Sequence, residues 1–269
     1  MKVTEQSSHF DSLEKMSVLE LLEGINAEDR TVAEAVGAVI PQIEILVEGI
    51  VARMEKGGRV FYVGSGTSGR LGVLDASEIP PTFGAEPGLF IGVISGGDKA
   101  LRSSVEGAED DPDGAWRDLA PFSPKAVDTL IGIAASGSTP YAVGAIKAAR
   151  KAGLLTACIT CKPGAAVAEA AEIPIVAVVG PEFVTGSTRM KAGTAQKMIL
   201  NMISTSVMIR MGHVRGNKMI DMQLANAKLV DRGTRMVMEE TGINEYDTAR
   251  ELLLEQGSVR LAVDKWKRR

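Results

Sequence analysis

The chain has 269 residues, 45% of them hydrophobic and 24% charged, enough for one large α/β domain with helical appendages and a filled core. Its net charge of −4 lacks the positive field that a nucleic acid needs, so no nucleic-acid partner is expected, and Lys265-Trp266-Lys267-Arg268-Arg269 reads as a solvated end. The polar residues 1–13 do not spell a signal peptide, and no apolar run of about 20 residues is present; both predict a cytoplasmic protein with no membrane partner.

Residues 17–23 read as a short helix and 29–56 as a long one, with Val32, Val36, Val39, Ile40, Ile43, Leu46, Val47 and Ile50 near helical spacing. Gly57-Gly58 stops it. Residues 59–63 form a buried strand that runs into Gly64-Ser65-Gly66-Thr67-Ser68-Gly69 and a helix over 67–77, ended by Pro80-Pro81. A second strand over 89–95, a helix over 99–107 and the acidic loop Glu109-Asp110-Asp111-Pro112-Asp113 follow. Then come strands over 128–134, 154–160 and 173–179, with a helix over 141–151. Strands alternating with helices predict an α/β fold: a doubly wound, parallel, five-stranded sheet flanked by helices, with additional N- and C-terminal helices. A Met-rich helix spans 187–211 and reads as core or subunit interface. Further helices are expected over 217–240 and from 244 to 254. The expected organisation is a helical segment 1–56, a ligand-binding domain 57–215 and a helical segment 216–269.

Cys158 and Cys161, spaced Cys-Ile-Thr-Cys, admit a redox pair or half of a zinc site, but they close an apolar stretch and read as core thiols of a reducing compartment. The only histidines are His9 and His213, so acid–base chemistry falls mainly to carboxylates, lysines or hydroxyls.

The spelling Gly64 to Gly69 matches GxGxxG between a strand and a helix, which taken alone suggests a dinucleotide site. Two details point elsewhere. The next strand ends in Ser95-Gly96-Gly97 rather than in an acid for a ribose, and the positions between the glycines are hydroxyls: Ser65, Thr67 and Ser68. Helix-terminal N–H groups with hydroxyls suit the oxygens of a phosphomonoester. A second such loop, Ser136-Gly137-Ser138-Thr139-Pro140, follows another strand. Both lie at the carboxyl ends of strands, where sheets of this kind bind ligands. Ser65, Gly66, Thr67, Ser68, Ser136, Ser138 and Thr139 are therefore the candidate residues for a phosphomonoester.

These paired loops resemble the SIS (sugar isomerase) domain. Three longer blocks are similar to the N-acetylmuramic acid 6-phosphate etherase family over nearly the whole chain: Gly66-Thr67-Ser68-Gly69-Arg70-Leu71-Gly72-Val73-Leu74-Asp75-Ala76-Ser77-Glu78, Val105-Glu106-Gly107-Ala108-Glu109-Asp110, and Thr185-Gly186-Ser187-Thr188-Arg189-Met190-Lys191-Ala192-Gly193-Thr194-Ala195-Gln196-Lys197. The resemblance implies a lyase that eliminates D-lactate from C3 of N-acetylmuramic acid 6-phosphate, adds water, and leaves N-acetylglucosamine 6-phosphate, in the recycling of wall amino sugars. It implies no metal and no redox cofactor. Glu78 takes the role of the acid that helps lactate leave and then activates water; Glu109 takes that of the base at C2. It also implies a further small C-terminal helical module, relative to which 216–269 is shortened.

For Glu78 the chemistry is reasonable: the negative end of its helix and apolar neighbours favour a protonated carboxyl, which suits a general acid. Glu109 sits among Asp110, Asp111 and Asp113, so a solvated acidic loop is the bland alternative. Ten helical residues separate Ser68 from Glu78, about 15 Å, too far for the phosphate end and the C3 ether of one sugar. Either the helix bends near Gly72, or Glu78 serves the site of a second subunit in a homodimer. Arg189 and Lys191 are candidates for the lactyl carboxylate or the phosphate, or else ordinary helix-start residues. The rival functions are a non-catalytic sugar-phosphate sensor and an aldose–ketose isomerase on the same fold.

Overall fold

The computed structural model describes residues 6–268, so part of the expectation for 1–13, and Arg269 of the basic end, lie outside the described residues. The chain groups into two compact units, Met1–Ser77 with Phe90–Val207, and Glu78–Leu89 with Met208–Arg269.

The first unit is built on five parallel strands, β1 (Val60–Gly64), β2 (Phe90–Ile94), β3 (Thr129–Ile133), β4 (Leu155–Thr160) and β5 (Ile173–Val176), in the order β2-β1-β3-β4-β5. Every residue of β1, β3 and β4 is buried, as strands covered on both faces must be. On one face Phe61, Val63, Leu130 and Cys158 pack with Leu119 of α6 (Gly114–Leu119) and with Tyr141, Ala142 and Ile146 of α7 (Pro140–Lys151). The core reading of the cysteines holds: burial pushes both thiols up to about 12, with Glu182 adding to the effect at Cys161. On the other face, Gly72 of α4 (Gly66–Phe83) lies against Tyr62 and Ile133, and Gly49 of α3 (Ile40–Met54) against Leu155.

Several elements differ from expectation. The short helix expected over 17–23 runs on as α1 (Val18–Arg30), and the long one over 29–56 is divided into the end of α1, α2 (Val32–Gly37) and α3. Thr31 Oγ1 donates to the Glu28 carbonyl (2.8 Å) at the first break, and at the second Pro41 lacks the N–H that would continue the ladder but suits the first turn of α3. Ser17 opens α1 with a capping box: Glu20 N–H donates to its hydroxyl (3.3 Å) and its own N–H to Glu20 Oε2 (2.7 Å). Pro80 and Pro81 do not end α4 but occupy its last turn, where Gly84 N–H still closes on the Pro80 carbonyl (2.9 Å). The helix over 99–107 shortens to α5 (Lys99–Arg102), because Ser103 is extended (ψ 141°). That leaves 103–110 as a loop. Between α7 and β5 lies the short α8 (Ala166–Ala170), and the Met-rich helix is α9 (Lys191–Arg210), whose Ile199, Leu200, Ile203 and Val207 are buried.

In the second unit the helix expected over 217–240 begins late. A hairpin of β6 (Val214–Arg215) and β7 (Lys218–Met219) comes first, turning at Gly216-Asn217, and α10 (Ala227–Thr241) follows. Gly216 has φ +60°, the left-handed conformation that a two-residue hairpin turn demands. After α11 (Tyr246–Gln256), a helix not anticipated from the sequence, α12 (Val259–Lys267), is capped by Ser258, whose hydroxyl accepts from Leu261 N–H (3.2 Å). Met236, Val237, Leu252, Leu253, Ala262 and Val263 form this unit's own core.

Candidate functional site

β1 delivers the first glycine-serine loop straight into α4. Gly66 has φ +54°, and Gly69 passes so close to β1 that a Cβ there would stand 2.6 Å from the Gly64 carbonyl oxygen and from Ile94. The backbone can therefore turn at the strand's end and present the free N–H groups of the first turn of α4. Ser65 Oγ is buried and has no hydrogen-bond partner among the described residues, an orphan that a ligand oxygen would satisfy. Thr67 is half-buried beside it. Ser68 is different: its buried hydroxyl donates to Gln196 Oε1 of α9 (3.0 Å), so what it offers outward is its backbone N–H.

The second loop leaves β3 and enters α7, with Ser136 Oγ 3.4 Å from Ser138 Oγ and Thr139 at the helix entry. β1 and β3 are neighbours in the sheet, so the two loops flank one crevice. It is the point where the strand order reverses, β2 lying to one side of β1 and β3 to the other.

The acidic loop packs its backbone onto α7, while the side chains of Glu109, Asp110 and Asp113 stay exposed. Tyr141 N–H donates to the Glu109 carbonyl (3.0 Å), and the Pro112 carbonyl sits so near Gly144 that a Cβ there would lie 1.7 Å away. Asp111 pairs with Arg117 and accepts from Asp113 N–H (3.0 Å). The result places Glu109, exposed at its side chain, next to the helix that begins with the second hydroxyl loop. A cavity of about 300 Å³ opens here beside Gly66, lined by Arg70, Ser95, Ser104, Glu106, Glu109 and Asp110. Of these, Arg70, Ser95, Ser104 and Glu106 were not singled out from sequence. Arg70 and Glu106 lie inside the matching blocks, so polarity within a block was the available signal.

Glu78 lies exposed on α4, as does Leu74 one turn before it. α4 runs through Gly72 without interruption. Two polar clamps hold it to α9: Ser68 on Gln196, and Asp75, whose Oδ1 accepts from Asn201 Nδ2 (2.7 Å) and Ser204 Oγ (3.1 Å). Burial pushes the Asp75 carboxyl above its ordinary value, against the opposing pull of those hydrogen bonds. Its Oδ2 and the Tyr62 hydroxyl are buried beside each other, and neither has a further hydrogen-bond partner among the described residues. Burial first, and Asp75 second, raise the Tyr62 hydroxyl well above its usual range.

Lys191 is committed elsewhere. Its ammonium, 3% exposed, pairs with Glu28, which His9 Nδ1 also approaches (3.2 Å). Its N–H and that of Ala192 donate to the buried Glu182 carboxylate (2.8 and 3.0 Å), which caps α9. Arg189 is exposed. Among the described residues no group of three or more His, Cys, Asp or Glu comes together to hold a metal ion, and no single helix is long and apolar enough to cross a membrane.

Comparison with known proteins bears on the family and the fold. A family profile described as "Glucokinase regulatory protein N-terminal SIS domain" matches residues 42–150. Proteins named N-acetylmuramic acid 6-phosphate etherase are similar over almost the full chain. The one from Bacteroides fragilis is 62% identical over 99% of this chain and 95% of its own length. That from Christiangramia forsetii is 62% identical over 97% and 95%, and that from Pectobacterium atrosepticum 52% identical over 90% and 80%. Among solved structures, phosphoheptose isomerase from Francisella tularensis aligns with a TM-score of 0.54 at 19% identity, over 71% of this chain and 98% of that one. The corresponding enzyme from Neisseria gonorrhoeae gives 0.52 at 16%, over 71% and 99%. At those identities the likeness is one of fold, the five-stranded SIS sheet.

Proposed function

The chain belongs to the N-acetylmuramic acid 6-phosphate etherase family, and we propose how its residues divide the work of breaking the ether. It is a carbon–oxygen lyase acting on N-acetylmuramic acid 6-phosphate. The observation that carries the site assignment is the convergence of both hydroxyl loops, the unpartnered Ser65 hydroxyl and Glu109 around one crevice and its adjoining cavity.

In this reading the phosphate rests on the first-turn N–H groups of α4, including those of Gly66, Thr67 and Ser68, with hydroxyls from Ser65, Thr67, Ser136, Ser138 and Thr139. The sugar extends into the cavity. Glu109 takes the C2 proton of the open-chain aldehyde, the C3–O bond breaks, and Glu78 gives its proton to the departing lactate oxygen. Glu78 then takes a proton from water as its oxygen adds at C3, and Glu109 returns a proton to C2. Products and proton count balance: one water is consumed, and N-acetylglucosamine 6-phosphate and D-lactate leave. A base and an acid with separate tasks distinguish this reading from a sensor, which needs neither.

Glu78 acts from a neighbouring copy in a cytoplasmic homodimer. What supports this is the uninterrupted, clamped α4 and the exposed Leu74–Glu78 face. The test uses E109Q and E78Q with D-lactate release and deuterium wash-in at C2 in heavy water. E109Q should lose both signals, while E78Q should lose lactate release and keep wash-in; the opposite pattern removes the assignment. Co-expressed, the two inactive variants should regain up to about a quarter of wild-type sites, since half of random dimers are mixed and each holds one intact site. No recovery in isolated mixed dimers would place both acids in one subunit.

A further inference from the structure

We propose that Arg70 is the residue that reads the lactyl carboxylate, and so selects the ether substrate over sugar phosphates that lack it; the assignment rests on the cavity reading above. Among the described residues, Arg70 is the one cationic side chain lining the cavity, which it shares with the carboxylates of Glu106, Glu109 and Asp110. Yet it forms no ion pair with them or with any other described residue. Its one hydrogen bond among the described residues is from Nε–H to the Leu101 carbonyl (3.1 Å). That bond fixes the plane of the guanidinium by its inner nitrogen and leaves both terminal nitrogens to a ligand. A planar fork with two outward donors matches a carboxylate in bidentate geometry.

This anion site adjoins the proposed phosphate cradle at Gly66 but reaches toward the other side of β1. The phosphate cradle lies between the loops after β1 and β3 and is made of backbone N–H and hydroxyl groups. Arg70 sits a turn further along α4 with Ser95 at the end of β2, on the opposite side of β1. The substrate carries two anionic groups, one at each end of its reacting half, and the protein offers two differently built anion sites on the two sides of β1. A cavity lined by three carboxylates would otherwise repel the lactyl group, and only Arg70 offsets that charge. Glu109 lies in the same cavity, consistent with a carboxylate held next to the C2–C3 bond.

The experiment compares two ligands that differ only in the lactyl group. In the D-lactate release assay, kcat/KM for N-acetylmuramic acid 6-phosphate and the inhibition constant of N-acetylglucosamine 6-phosphate are measured for wild type, R70A and R70K. R70A should lower kcat/KM by about 10- to 100-fold, the range for hydrogen bonds to a charged group, while the inhibition constant stays within about twofold. R70K should recover part of the loss, because it keeps the charge without the fork. Equal weakening of both ligands would show that Arg70 holds the phosphate or the sugar and would overturn the proposal, as would no change in either. Should R70A fail to fold by circular dichroism, R70K and R70Q carry the same comparison. If the product does not inhibit wild type that releases lactate, the cavity reading itself fails, a result separate from any effect of Arg70.

Discussion

Replacing Asp75 by Asn should make the protein more tolerant of rising pH. The carboxyl is 7% exposed, and one oxygen takes both hydrogen bonds, from Asn201 and Ser204, while the other lies beside the Tyr62 hydroxyl and has no further partner among the described residues. Burial raises it above the ordinary aspartate value of 3.8. In the pH window between that value and the raised folded one, the folded chain keeps a proton that the unfolded chain has released. Stability contributed by this group is thus full below 3.8 and falls as pH rises through the folded value. The slope from one such group is at most about 1.4 kcal/mol per pH unit. Asn cannot titrate, yet its Oδ1 can accept from Asn201 and Ser204 and its Nδ2 can donate toward the Tyr62 hydroxyl. The D75N-minus-wild-type stability difference, from urea unfolding between pH 4 and pH 8, should grow with pH and then level off. Asp75→Ala behaves differently, since it strands two buried donors at about 1–3 kcal/mol each. A flat difference across the pH range, or D75N as unstable as D75A, would refute the reasoning.

Two other substitutions test the scaffold of the site. Gly69→Ala must push its Cβ into the Gly64 carbonyl and Ile94, which costs about 1–3 kcal/mol and displaces the phosphate loop; a lowered melting temperature and a raised KM are the readouts. Glu28→Gln removes the counter-charge from a Lys191 ammonium that is 3% exposed, at a cost of about 3–5 kcal/mol. Burial alone would raise Glu28, but its bonds to Lys191 and His9 hold it below the usual range. Its stabilisation is therefore present above the unfolded value and lost as pH falls through the folded one, so acid unfolding curves of E28Q should lack that step.

The sheet was legible because its strands are short apolar runs closed by glycine, and central parallel strands must be apolar on both faces. The two glycine-serine loops at the strand ends were legible for a related reason: their residues are contiguous in sequence, and a strand-to-helix turn has few spellings. What escaped were features that depend on distant partners. The sequence reading runs a helix through Pro41 and stops one at Pro80-Pro81, whereas Pro41 falls in a first turn after a break and Pro80 lies within a last turn, which periodicity does not distinguish. Ser68 reads as a phosphate hydroxyl until Gln196, 128 residues away, claims it. Lys191 reads as a candidate anion ligand until Glu28, 163 residues away, neutralises it. Arg70 was visible as a letter, but its lack of a carboxylate partner is a fact of three dimensions.

The clamps between α4 and α9 also decide how far Glu78 can reach. Ser68 and Asp75 are seven residues apart on α4, or about 10 Å of helix rise. Their partners, Gln196 with Asn201 and Ser204, are five to eight residues apart on α9, or about 8–12 Å. Equal spacing on both helices means that they run side by side over this stretch, and a sharp kink at Gly72 would pull one clamp open. Opening the lower one would strand Asp75 with its buried amide and hydroxyl donors, a cost of several kcal/mol that no observed contact offsets. In the proposed reading, where the first turn of α4 grips the phosphate, the clamped stretch from Ser68 to Asp75 leaves no bend at Gly72 to return Glu78 to the same sugar. The separation that looked inconsistent with a single site is the reason to expect a site completed by a second copy.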